Sequence, residues 1–166
     1  MGKKQHSFSH CKVNKMIPLN LPPFEAKTRE VDGKTQIFDI LRRRYVVLTA
    51  EEWVRQHFVH FLLEHRGYPW ALMANEVSID IAGVRRRCDS VLFDQVGMRP
   101  RIVMEYKAPS VAISQKVFDQ IAAYNSVLRA DYLMVSNGRK HYCCRMDYEK
   151  NSASFLQDIP AFDQLV

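Results

Sequence analysis

The spacing of apolar residues changes period several times along the chain, and each change marks an element. After Thr49, the residues Trp53, Val54, Phe58, Phe61 and Leu62 recur at helical intervals. Thr49 with Glu52 three residues later has the spacing of a capping box, so a helix is predicted to about His65, stopped by Gly67 with Pro69 beyond. From Glu76 to Ala82 apolar and polar residues alternate, the period of a strand. Gly83 turns the chain into a second strand over Arg86 to Phe93, and residues 94–100 form a loop. Arg101 to Lys107 reads as a third strand, buried because Ile102, Val103 and Met104 are consecutive. Ala108-Pro109-Ser110 breaks it. Helical spacing returns from Ser114 to about Leu128, followed by strands at Tyr132–Ser136 and His141–Met146 around an Asn137-Gly138 turn.

Upstream, Thr28 to Ile37 reads as a hairpin around Asp32-Gly33, after the stiff, proline-rich stretch Pro18 to Pro23. Residues 1–17 read as a flexible leader and 18–166 as a single domain, with 18–48 an N-terminal β-hairpin extension. The order α-β-β-β-α-β-β predicts an α/β, α+β-like fold, with a mixed central β-sheet flanked by helices. The tail after Tyr148 is expected to pack over an edge of the sheet.

Composition narrows the class. A chain of 166 residues with 47% hydrophobic and 25% charged residues suits one folded domain. It has no apolar run of 18 residues and no secretory pattern, which predicts a cytoplasmic protein that meets no membrane. The cysteines at 11, 88, 143 and 144 include no CxxC pair and read as thiols rather than a zinc site. Charge is uneven: residues 1–44 hold 10 Lys or Arg against 4 acids, and residues 45–166 hold 14 of each. The runs Arg42-Arg43-Arg44 and Arg85-Arg86-Arg87 favour a polyanionic partner. Arg42, Arg43, Arg44, Arg55, Arg85 and Arg87 are the candidate nucleic-acid contacts. Strand alternation puts Arg85 and Arg87 on the face of Asp89 and turns Arg86 away.

The chemistry-bearing feature is Asp89 followed sixteen residues later by Glu105-Tyr106-Lys107. In a strand, Glu105 and Lys107 share a face. If the strands of Asp89 and Glu105 are neighbours, their carboxylates approach each other and repel unless a cation or proton intervenes. Oxygen ligands of this kind suit Mg²⁺ or Mn²⁺, and a lysine beside them can stabilise charge developing on a phosphate. The chemistry implied is phosphodiester hydrolysis. The competing reading is a non-catalytic nucleic-acid-binding or partner-docking module of the same fold.

Five segments in order resemble the PD-(D/E)xK nuclease superfamily, and within it the N-terminal nuclease domain of type I restriction enzyme R subunits and its small stand-alone relatives. They are Leu48–Gln56, Arg86-Arg87-Cys88-Asp89, Glu105-Tyr106-Lys107-Ala108-Pro109, Gln120–Asn125 and Val135-Ser136-Asn137-Gly138. The family often has proline before the aspartate, where this chain has Cys88. The resemblance implies a restriction-endonuclease-like core and a metal centre at Asp89 and Glu105, joined by a backbone carbonyl next to Glu105. It implies Lys107 as the catalytic lysine, a glutamate from the first helix (Glu52, with Glu51 one residue away), and Gln120 in support. The expected function is a divalent-metal-dependent DNA endonuclease of restriction or repair type. The chain lacks a Walker-type phosphate loop and so an ATPase motor of its own. Its expected partners are double-stranded DNA, with a homodimer or restriction or repair subunits.

Overall fold

The computed structural model describes residues 17–166. The expected leader lies outside them except for Ile17, and so do His6, His10 and Cys11. Three strands, β1 (Thr28–Val31), β2 (Lys34–Asp39) and β3 (Arg44–Val47), form a small antiparallel sheet in the order β1-β2-β3. Helix α1 (Ala50–His65) follows, then a 3-10 turn at Trp70–Leu72. The main sheet has six strands in sequential order: β4 (Met73–Ile81), β5 (Val84–Phe93), β6 (Pro100–Tyr106), β7 (Tyr132–Ser136), β8 (His141–Asp147) and β9 (Ser152–Phe155). Helix α2 (Gln115–Leu128) connects β6 to β7. That pair is parallel and all others are antiparallel, so the sheet is mixed as expected.

Two expectations about the strands are corrected. The N-terminal extension is a three-stranded sheet rather than a hairpin, because Arg44–Val47 pairs with β2. A further edge strand, β9, pairs with β8, so the order from α1 onward is α-β-β-β-α-β-β-β. Both missed strands are four residues long, and Ser152–Phe155 is exposed throughout, so neither carries an alternating apolar signal.

The sheet separates two apolar layers. Val54, Phe58, Val59 and Leu62 of α1 pack with Leu92, Ile102, Met104, Tyr106 and Met134 on one face. Val117, Ile121 and Tyr124 of α2 pack with Val91, Val103, Leu133 and Val135 on the other. The neighbouring cysteines follow the pleat, Cys143 in the α1 layer and Cys144 in the α2 layer. The tail closes the α1 layer, with Ile159 buried and Leu156, Phe162 and Leu165 packed against it.

Strand alternation breaks beside Asp89. Leu92 of β5 packs in the α1 layer and Val91 in the α2 layer, yet Cys88 packs with Val91 rather than with Leu92. On β4, Met73 belongs to the α1 layer but Ile79 to the α2 layer. The reversal occurs at Glu76, whose φ of 61° is left-handed, between the pairs Asn75–Ser90 and Val77–Cys88 and so opposite Asp89. A left-handed residue within a strand is unfavourable for a non-glycine side chain. Here it turns Glu76 toward the arginines of the site.

Candidate active site

The register of β5 and β6 brings the two expected carboxylates across from each other. Ser90 pairs with Met104, so Asp89 and Glu105 stand opposite one step further along. Asp89 Oδ2 accepts the Tyr106 backbone N–H at 2.7 Å, and its Oδ1 accepts Arg55 Nη2 at 2.8 Å. Glu105 is 3% exposed and Lys107 lies just past the end of β6. Lys107 Nζ donates to Glu105 Oε1 at 2.6 Å and to Gln120 Oε1 at 3.2 Å. Gln120 of α2 donates from Nε2 to Glu105 Oε1 at 2.6 Å and to the Tyr124 hydroxyl oxygen at 2.9 Å. Gln120 reaches both because α2 packs over this face of β6, where Ile121 anchors it in the core.

Negative charge is in excess here. Burial, the Asp89 charge and the Glu51 charge push the Glu105 carboxyl up to about 7, against the pull of Lys107. Burial works to lower the Lys107 pKa, but its bond to Glu105 and the charges of Glu105, Glu51 and Asp89 outweigh that and hold it above its ordinary value. Lys107 is therefore a cation at neutral pH. The Glu51 carboxyl is also raised, by burial first and then by Asp89.

These couplings distinguish the two glutamates of α1. Glu51 senses Asp89, Glu105 and Lys107. Glu52, the residue expected at the site, is turned elsewhere. Its backbone N–H takes the Thr49 hydroxyl as acceptor at 3.0 Å, half of a capping box. Its side chain does not close the box. It accepts Arg42 Nη2 with both oxygens at 3.0 Å, Arg55 Nη1 at 2.9 Å and Gln56 Nε2 at 2.8 Å.

Glu52 belongs to a buried ionic network. Arg55, 4% exposed, also bonds Glu76 at 2.6 Å. Arg42 bonds the Asp39 carboxylate through Nε, and Asn75 donates to the same carboxylate at 2.9 Å. Burial works to raise the Asp39 pKa, but the Arg42 backbone N–H, the Asn75 amide and the Arg42 guanidinium outweigh it and hold the carboxyl below its ordinary value. Likewise burial opposes the charge on Arg55, while Asp89, Glu52 and Glu76 more than compensate and raise its pKa. Arg87 reaches Glu76 from the surface.

Two expected nucleic-acid contacts belong to this network. Arg55 and Arg42 have their guanidinium groups committed to internal carboxylates, because each lies among acids from several elements. Arg43, Arg44, Arg85 and Arg87 are exposed. The network members Asp39 and Asn75 were not anticipated from sequence. One signal was available: Arg55 sits at helical spacing with Val59 and Leu62, both fully buried, and an arginine on an apolar stripe requires partners.

Among the described residues, no group of three or more His, Cys, Asp or Glu side chains converges to hold a metal ion. The donor chemistry at Asp89 and Glu105 nevertheless fits Mg²⁺. Two facing carboxylates with excess negative charge match a cation that keeps several waters and uses only one or two carboxylates.

No curated protein shows significant similarity to the chain. A solved structure described as a fragment of a putative HsdR subunit of a type I restriction enzyme from Vibrio vulnificus YJ016 aligns with a TM-score of 0.52 and 19% identity. The match covers 71% of this chain and 24% of that one, and at this identity it shows the shared fold. The family described as type I restriction enzyme R protein N terminus matches residues 50–160, from the first residue of α1 through the last strand of the sheet, with Asp89, Glu105, Lys107 and Gln120 all inside it. The chain belongs to the family of type I restriction enzyme R protein N-terminal domains, within the PD-(D/E)xK-related superfamily.

Proposed function

We propose that the chain is a divalent-metal-dependent DNA endonuclease domain that hydrolyses phosphodiesters and carries no ATPase motor. The observation that carries this reading is Asp89 held opposite Glu105, with Lys107 bonded to Glu105 at the end of the same strand. Asp89 and Glu105 would hold Mg²⁺ or Mn²⁺, with the backbone carbonyl next to Glu105. When bound, such an ion lowers the pKa of a water and polarises the phosphate.

The chain's own residues supply the rest. The Tyr106 N–H and the Arg55 guanidinium fix both oxygens of the Asp89 carboxylate. Gln120, itself bonded to the Tyr124 hydroxyl, holds Glu105 and Lys107 in one arrangement. Lys107, kept protonated by its carboxylate neighbours, orients the attacking water and stabilises charge growing on the scissile phosphate. Glu51 rather than Glu52 is the α1 carboxylate that serves this group, because it shares the electrostatic environment of Asp89 and Lys107. Arg43, Arg44, Arg85 and Arg87 are the exposed arginines that hold the phosphate backbone.

The substrate is duplex DNA and the setting is restriction or repair, with partner subunits or a second copy of the chain to cut both strands. A cleavage assay on supercoiled and linear DNA with Mg²⁺ or Mn²⁺, alongside Mn²⁺ binding followed by electron paramagnetic resonance, tests the reading. Cleavage and Mn²⁺ binding that are both lost in Asp89→Asn support it. Duplex binding without Mn²⁺ binding or cleavage would make the domain a non-catalytic DNA-binding module instead.

A further inference from the structure

The β4–β5 hairpin outruns the sheet that supports it. The β5–β6 ladder covers Ser90 to Phe93, whereas the β4–β5 ladder continues from there to the pair Ile81–Val84. Residues 77–88 are therefore a two-stranded ribbon projecting past the site, its base formed by Glu76 and Asp89. Five or six residues per strand at about 3.3 Å each give it a reach of roughly 16–20 Å.

The two faces of the ribbon differ. Val77, Ile79 and Ile81 lie in the α2 layer with Val117 and Ile121, so this face is braced by a helix. Paired residues on antiparallel strands share a face, so Ser78 with Arg87 and Asp80 with Arg85 form the opposite one. All four are exposed. Arg85 and Arg86 have no ion-pair partner among the described residues, and Arg87 remains 67% exposed beside Glu76. Within residues 77–88 three arginines face one acid, Asp80, whose Oδ1 accepts the Gly83 N–H at 2.8 Å in the turn. At the tip Ala82 and Val84 are exposed.

We propose that this ribbon enters the major groove of duplex DNA and sets the position of the duplex on the site, a proposal that rests on the DNA-cleaving reading above. The major groove, about 12 Å wide, admits a two-stranded β-ribbon. Arginine suits both phosphates and guanine edges there, and small apolar residues such as those at the tip suit thymine methyl groups. The ribbon has no Phe, Tyr or Trp, the residues that stack the unpaired bases of a single strand. Because β5 runs from the ribbon directly into Asp89, the depth of ribbon insertion fixes which phosphate meets Lys107. Arg86 pairs with Ile79 on the braced face and contributes less than Arg85 and Arg87.

Fluorescence anisotropy of the full chain without divalent metal tests this with three probes. They are a plain duplex, the same duplex carrying bulky glucosyl groups at the cytosine 5-position that fill the major groove, and the single strand. The expected result is tighter binding of the plain duplex than of either other probe, with about a tenfold loss when the groove is filled. Arg85→Ala with Arg87→Ala should weaken plain-duplex binding, reduce the salt slope by up to about two units, and shrink the penalty of the filled groove. Arg85→Glu alone, away from the Glu76 cluster, should act in the same direction without altering thermal stability. Equal affinity for plain and filled-groove duplexes overturns the proposal, as does preference for the single strand or indifference to the Arg85 variants. Wild-type protein that binds no DNA at low salt overturns the ribbon proposal and the endonuclease reading together, a result unlike any of these.

Discussion

Asp89 sits between two ionic clusters that are built alike and behave differently. On one side Arg42, Arg55 and Arg87 meet Asp39, Glu52 and Glu76, with cations and carboxylates nearly balanced. On the other, Glu105, Glu51 and Asp89 surround Lys107, and the only further cation is Arg55, which bonds Asp89 but is shared with Glu52 and Glu76 among the described residues. The balanced side joins the N-terminal sheet, α1 and β4 into one unit. The unbalanced side holds a buried carboxyl at about 7 and keeps a lysine charged. Compensated charge organises the fold, whereas uncompensated charge raises the Glu105 carboxyl and keeps Lys107 charged.

The largest difference should appear in catalysis. Lys107→Ala or Glu105→Ala should lower the cleavage rate by about 10²-fold or more while far-ultraviolet circular dichroism stays native. Retained cleavage with either variant would erase the functional distinction between the clusters. Arg55→Met acts on the balanced side, leaving Glu52, Glu76 and Asp89 without their shared cation. Breaking a buried pair in this way costs about 3–5 kcal/mol, measurable by urea unfolding. A loss within 1 kcal/mol would show that the network is not structural.

The unbalanced side also makes stability depend on pH. A carboxyl raised in the folded state binds its proton more tightly there than in the unfolded chain. Its contribution to stability is full below the ordinary carboxylate pKa and is lost as pH rises through about 7. Glu105→Gln should therefore raise the melting temperature at pH 8 and bring little or no gain at pH 4. A gain of the same size at both pH values would remove the raised carboxyl as the cause. The smallest expected effect is the contrast between neighbouring residues of α1. Glu51→Gln should change stability by less than about 0.5 kcal/mol yet weaken Mn²⁺ binding or cleavage. Glu52→Gln should destabilise the fold, because it removes charge facing Arg42 and Arg55. The reverse pattern would restore Glu52 to the site.

Much of this fold is legible in the sequence. Helix α1 begins after Thr49 and ends before Gly67, where φ is 71°, because a hydroxyl cap and a left-handed glycine are local devices readable from a few residues. The long strands and α2 followed from apolar periodicity, while the facing of Asp89 and Glu105 depended on their two strands being neighbours, as β5 and β6 are. Strands β3 and β9 were missed because each is short and gains its order from its neighbour rather than from its own pattern.

The finer division of roles belonged to the tertiary structure. Glu51 and Glu52 are chemically identical, and only the elements packed around the first turn of α1 decide that one lies in the field of Asp89 and Lys107 and the other bonds two arginines. The same holds for Arg42 and Arg44, two residues apart in one run, of which the first is spent within the fold and the second is exposed. Local sequence determined where elements start, stop and present an apolar face, because those choices depend on backbone conformation and hydration within a few residues. Which charges neutralise one another depends on distance and burial across the α1, β2, β4 and β5 elements, quantities that exist only once those elements have packed.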